Sequence, residues 1–217
     1  MPEDEQEQLE SGISRKNFIV AAGIGALAVP TAVTAVTTAT AEAGTGTSTQ
    51  PRRLEYTPKC TDGDDEPTPA QTEGPYFTPG SPERTDIRAG KQGTLLTVTG
   101  IVYDINCKPV NRALLDFWQC DNAGVYDNVG YVLRGHLFSG ADGRYTLTTI
   151  VPGLYPGRTR HIHVKVQAPN ARILTTQMYF PNEPRNNTDT IFDPRLLMTM
   201  SDGPTGRTGT LDFVIRT

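Results

Sequence analysis

The sequence predicts an all-β chain, a β-sandwich of mostly antiparallel strands with long loops. Three observations lead there. Apolar and polar residues alternate with period two in several short runs, Gly and Pro turn signals separate the runs, and no window holds a 3.6-residue apolar period over three turns. Short strands at regular spacing with such punctuation suit a sandwich or a barrel.

Taken in order, the alternating runs are residues 95–104, 114–119, 144–150, 161–168, 173–180 and 211–215. Between them stand Asn122-Ala123-Gly124, Asp142-Gly143, Pro152-Gly153, Pro156-Gly157 and Asp202-Gly203-Pro204. Strand phase sorts the side chains further, because successive residues of a strand point to opposite faces. In 161–168, Ile162, Val164, Val166 and Ala168 share the face that belongs to the core, and His161 and His163 share the other with Lys165 and Gln167. In 173–180, Leu174, Met178 and Phe180 fall on one side, Gln177 and Tyr179 on the other. The two polar faces are expected to look into a common pocket.

The N-terminal residues read as an address. In residues 1–43, Arg15 and Lys16 precede an Ala-, Gly- and Val-rich run that ends in Ala39-Thr40-Ala41-Glu42-Ala43, the pattern of an export signal with a small-residue cleavage site. The paired basic residues resemble a twin-arginine signal, with Lys16 where the second arginine usually sits. The expectation is an exported protein, extracellular or in the cell envelope, with no membrane span once the signal is removed. Residues 44–69, rich in Thr, Pro, Asp and Glu, are expected to be a linker or a surface arm, and 70–217 one ordinary folded domain.

A net charge of −4 and no basic cluster argue against a nucleic-acid partner. The chain has three cysteines, and export permits a disulfide with one thiol left over. Cys107 falls at a hairpin tip and Cys120 at the far end of the next strand, roughly 25 Å away and too far to bridge. Cys60–Cys107 is therefore the expected pair.

Two of the chain's three histidines form His161-Ile162-His163. Imidazoles at i and i+2 of a strand point the same way and suit adjacent positions on one metal. That spacing alone leaves zinc, copper and iron open, with an Asp able to supply a third ligand. Tyr155, in the tight loop Pro152-Gly153-Leu154-Tyr155-Pro156-Gly157-Arg158, and Tyr131, in the loop Gly130-Tyr131-Val132-Leu133-Arg134-Gly135, tilt the choice. A phenolate is a hard, strongly donating anion and favours iron(III).

At this point the residues resemble the intradiol ring-cleavage dioxygenases, the family of catechol 1,2-dioxygenase and protocatechuate 3,4-dioxygenase. The stretch from Asp142-Gly143-Arg144-Tyr145 through Pro152-Gly153-Leu154-Tyr155 to His161-Ile162-His163 is similar to that family's signature. The likeness continues upstream through Gly124-Val125-Tyr126 and Asp116-Phe117-Trp118-Gln119 to Thr72-Glu73-Gly74-Pro75-Tyr76-Phe77, and downstream to Thr176-Gln177-Met178-Tyr179-Phe180. It implies a β-sandwich holding one non-haem iron(III) per chain between two tyrosinates and two histidines. By motif position, Tyr131 matches the retained tyrosinate and Tyr155 the one that leaves the metal and takes a substrate proton. His161 and His163 match the imidazoles, Arg158 the arginine facing the substrate, and Gln177 a polar residue near the iron. Gly74, Pro75, Tyr76 and Trp118 match the wall of the substrate pocket.

The implied reaction inserts both atoms of dioxygen into a catechol and cleaves the ring between its hydroxyls, yielding a cis,cis-muconate-type diacid in aromatic-compound catabolism. The loop from Tyr155 to His161 is shorter than in the cytoplasmic enzymes, and no amphipathic helical region for dimerisation is present, although a homodimer is compatible with the family. The competing readings are a non-catalytic exported β-sandwich binding module and a zinc or copper enzyme using the same histidines with a carboxylate. His136 is expected in a loop, Asp116 and Glu73 in structural roles, and Asn186-Asn187-Thr188 carries a glycosylation pattern.

Overall fold

In a computed structural model of the chain, residue 60 and residues 66–217 are described. The export-signal expectation for 1–43 and most of the 44–69 arm lie outside them. The described residues contain nine strands: β1 (Leu95–Asp104), β2 (Leu114–Trp118), β3 (Arg134–Phe138), β4 (Arg144–Ile150), β5 (His161–Gln167), β6 (Leu174–Tyr179), β7 (Thr199–Gly203), β8 (Gly206–Thr210) and β9 (Phe213–Ile215).

They form two sheets. One runs β4-β1-β8-β7, with β9 also pairing β1, and the other runs β3-β2-β5-β6. Pairing is antiparallel except that β8 and β9 lie parallel to β1. The expected sandwich is therefore present, and its period-two pattern has the anticipated physical basis. Leu96, Val98 and Val102 of β1 and Leu147 of β4 meet Leu115 and Phe117 of β2 and Ile162, Val164 and Val166 of β5 in one buried cluster. Each such side chain contributes about 1.5–3 kcal/mol on burial. Among the described residues no helix is long and apolar enough to cross a membrane.

The strand expected at 211–215 is shorter, because Leu211 and Asp212 serve β1 from the side. The Asp212 carboxylate accepts the Ile101 N–H at 2.6 Å. The Leu211 carbonyl comes so close to Gly100 that a Cβ there would lie 1.9 Å from its oxygen. His136 corrects a second expectation: it sits on β3, opposite Asp116 in register, rather than in a loop. Its Nδ1 lies 2.7 Å from the Ser81 carbonyl, which can only accept. Asn186 is also committed internally, its amide donating to the Phe180 carbonyl and accepting from the Thr159 hydroxyl.

The described end of the N-terminal arm crosses the edges of both sheets. Thr68 exchanges bonds with Val214 of β9, at 3.0 and 2.8 Å, and Gln71 N–H donates to Thr175 of β6 at 2.8 Å. Cys60 is bonded to Cys107, with a Cα–Cα distance of 5.2 Å, and Cys120 is free and buried. The arm then turns over the outer face of β5 and delivers residues 72–77 to it.

Candidate active site

The outer face of β5 would be polar and wet if nothing covered it; here it is buried. His161 and His163 are 2% and 3% exposed, which removes the reading of a solvated histidine pair. Gly74 adopts φ +71°, a left-handed backbone that glycine takes without strain, and a Cβ there would stand 3.5 Å from the His163 ring. On the other side Trp118, opposite His163 in register, stacks on that ring at 4.7 Å and 9°. Phe77 packs edge-on against Trp118, and Lys165 covers Phe77 while pairing with Glu73.

The imidazole nitrogens converge. His161 Nε2 lies 3.2 Å from His163 Nε2 and 3.2 Å from the Tyr126 hydroxyl. His161 Nδ1 is 2.7 Å from the Thr159 carbonyl, which only accepts, so Nδ1 carries the proton and Nε2 of the neutral ring offers a lone pair. Burial lowers the pKa of both rings, His161 to about 4 and His163 well below its ordinary value, the latter aided by neighbouring positive charge. Both are thus neutral near pH 7, as metal ligands must be. Burial also pushes the Tyr126 phenol well above its usual range, so a phenolate there requires a compensating cation. His163 Nδ1 is buried without a partner.

The sequence expectation for Tyr131 is corrected here. Tyr131 is 37% exposed, and its hydroxyl donates to the Pro79 carbonyl. The tyrosine beside His161 is Tyr126, and two aspartates explain why. Asp121 accepts the N–H groups of Ala123 and Val125 and, through its carbonyl, Gly124, curling the loop so that Tyr126 turns inward. Asp127 accepts those of Val129, Gly130 and Val132, holding its carboxyl at about 2 and carrying Tyr131 outward. Sequence position in a motif, Gly124-Val125-Tyr126, was the signal that could have found it.

Tyr155 lies in the same aromatic group. Its hydroxyl is 2.8 Å from that of Tyr76, and Tyr76 stacks on Tyr126 at 4.5 Å. Pro75 is exposed beside it. Arg134, a buried arginine of β3 that sequence reasoning passed over, donates to the carbonyls of Tyr76 and Asp127 and so ties the arm to the Tyr126 loop.

On the far side Arg158 donates from Nη2 to Gln177 Oε1 at 2.7 Å and from Nε to Asp189 at 2.8 Å. Gln177 is opposite His163 and Tyr179 opposite His161, both fully buried. Arg160 points elsewhere, pairing with Glu183 at 2.6 Å and with the Pro152 carbonyl. Among the described residues no group of three His, Cys, Asp or Glu side chains gathers, so no carboxylate completes the histidine pair. The donor set of two neutral imidazoles with phenols nearby fits a hard trivalent cation such as iron(III).

A family model described as Dioxygenase matches residues 72–201. Among curated relatives, the hydroxyquinol 1,2-dioxygenase of Nocardioides simplex is 32% identical over 151 residues, covering 58% of this chain and 51% of the relative. The chain thus spans about half the length of the curated relatives it matches. Among solved structures, the dioxygenase domain of a dioxygenase–carbohydrate-binding protein fusion from Streptomyces sp. SirexAA-E is 59% identical with a TM-score of 0.68, covering 70% of this chain and 99% of that one. The 3-chlorocatechol 1,2-dioxygenase of Rhodococcus opacus is 28% identical with a TM-score of 0.62, covering 68% and 72%. With a family match over more than half of the sequence, and the same fold in ring-cleaving relatives, the chain belongs to the intradiol ring-cleavage dioxygenase family.

Proposed function

We propose that this protein cleaves a catechol between its two hydroxyls, with iron(III) held by Tyr126, Tyr155, His161 and His163. The observation that carries the reading is the buried His161 Nε2 lying 3.2 Å from His163 Nε2 and 3.2 Å from the Tyr126 hydroxyl. The overall change breaks the ring bond between the two hydroxyl-bearing carbons and places both atoms of dioxygen in the two carboxyls of a cis,cis-muconate-type diacid.

Bound iron(III) would supply a redox-active Lewis acid that makes a coordinated diol acidic and electron-rich toward dioxygen. The chain's own residues do the rest. Tyr155 accepts one of the diol's two protons at its phenolic oxygen, and Tyr76, 2.8 Å away, is placed to hold that oxygen once it is a neutral phenol. Arg158, kept in place by Gln177 and Asp189, sets a fixed positive charge against negative charge developing on the ring. A preorganised charge of this kind contributes a few kcal/mol, roughly 3–4. Trp118, Phe77 and residues 74–76 exclude water from the histidine side. The leader-like segment of residues 1–43, together with the Cys60–Cys107 disulfide, supports an exported protein.

An absorption spectrum of the purified protein with its iron content, before and after anaerobic catechol, tests this reading. A broad visible tyrosinate-to-iron(III) band that shifts on catechol addition is expected, at one iron per chain. A protein that stays colourless after iron(III) reconstitution overturns it.

A further inference from the structure

We propose that Asp189 is a positioning residue for this reaction, one carboxylate holding both the substrate-facing Arg158 and the peptide that orients His161. The inference rests on the functional reading above and adds to it a residue that lies outside the ligand set.

Asp189 stands 31 residues from Arg158 in the chain, beyond a 3-10 turn at Pro184–Asn187. Its Oδ2 accepts two bonds of 2.8 Å, from Arg158 Nε and from the Thr159 N–H, and its Oδ1 accepts the Ile191 N–H at 3.2 Å. Each bond has a separate consequence. The first leaves the Nη2 end of Arg158 free to reach Gln177 Oε1 at 2.7 Å and the Tyr179 hydroxyl at 3.3 Å, so the guanidinium is gripped at two ends. The second anchors Thr159, whose carbonyl accepts the His161 Nδ1–H at 2.7 Å and whose hydroxyl donates to Asn186 at 2.6 Å. Thr159 is fully buried, so it has no solvent with which to replace a lost partner. A single carboxylate thus stands one hydrogen bond from the arginine and one residue from the carbonyl that sets the histidine tautomer.

The geometry predicts two separable losses on removing the charge. Turnover should fall through Arg158, and metal retention should fall through Thr159 and His161. A carboxylate present only for stability predicts neither. It would lower the melting temperature while the folded fraction kept its iron affinity and rate.

The test uses the iron-loaded protein. Asp189→Asn is expected to lower kcat/KM for catechol by about 10- to 100-fold and iron(III) affinity, measured by chelator competition, by about tenfold, the scale of losses seen when residues that orient metal ligands are changed. Introduced into an Arg158→Ala background, Asp189→Asn should cost less than about threefold further in kcat/KM while still lowering iron affinity, because its kinetic effect passes through the arginine. Should the amide variant fail to fold, Asp189→Glu, which keeps the charge but moves it, carries the same two readouts with smaller losses expected. Equal multiplicative losses in both backgrounds, or unchanged iron affinity and rate beside a lowered melting temperature, overturn the inference. A wild-type protein that neither binds iron nor cleaves catechol overturns the functional reading as well, whereas an active wild type with an indistinguishable variant overturns this inference alone.

Discussion

The two faces of β5 alternate along one run of seven residues; both are buried around the histidines, and they are held by opposite means. Inward, Ile162, Val164 and Val166 pack among aliphatic and aromatic neighbours, where another apolar side chain of similar volume would cost little. Outward, His161 and His163 are enclosed by Trp118, Gly74, Tyr126 and the Thr159 carbonyl, each contributing a specific contact. The inner face gives the sandwich its stability. The outer face holds polar atoms whose burial costs free energy until something binds them. Stability and function are therefore separated by a single residue step along one strand.

The largest effect should come from breaking that separation directly. Ile162→Ala leaves a cavity and should cost about 2–5 kcal/mol in denaturant unfolding, while the folded fraction still binds one iron. His163→Leu should do the reverse: loss of iron and ring cleavage, with metal-free stability held or raised, since the buried unpartnered Nδ1 disappears. A His163→Leu protein that retains the visible band would refute the ligand assignment.

Next in size is a pair of tyrosines. Tyr126→Phe should remove the tyrosinate band in large part and cut kcat by about 100-fold or more. Tyr131→Phe, which loses one surface bond to Pro79, should stay within about twofold. The reverse outcome would restore Tyr131 as the ligand.

Gly74→Ala asks how much the covering arm matters. Its φ of +71° makes an L side chain strained by about 1 kcal/mol, and the added methyl would touch the His163 ring. A several-fold rise in KM with iron content intact is expected in steady-state assays.

The smallest effect is on pH dependence. Burial raises the Cys120 thiol to about 11, so the folded chain keeps a proton that the unfolded chain releases near pH 9. Stability should accordingly fall as pH rises from about 9 to 11, and Cys120→Ala should flatten that slope in thermal melts. At neutral pH the thiol should resist alkylation until the protein unfolds.

Much of the fold was legible because one-sided burial leaves a period of two, as in β1, β4 and β5. β3 was missed because its five residues, Arg134–Phe138, begin with a buried arginine and a glycine and so carry no alternation. Arg134 is buried for what it bonds, the carbonyls of Tyr76 and Asp127, and such a reason has no local signature. The same holds at the site. The spacing of His161 and His163 encodes their shared face, but the choice between Tyr126 and Tyr131 depends on how Asp121 and Asp127 bend the intervening loop. Asp189 is a lone acid in a polar stretch, and its role exists only once Arg158 and Thr159 are brought to it.

The bond between Thr68 and Val214 spans 146 residues of sequence. A ribosome delivers those residues in order, so this particular hold on the arm forms only after nearly all the described chain has emerged, whereas the bond from Gln71 to Thr175 needs only β6. Fastening by so distant a contact is slow compared with local pairing. The roof over the histidine strand is therefore held from two sides, by β6 through Gln71 and by β9 through Thr68, and the second hold comes from the last strand of the chain's sandwich to be made.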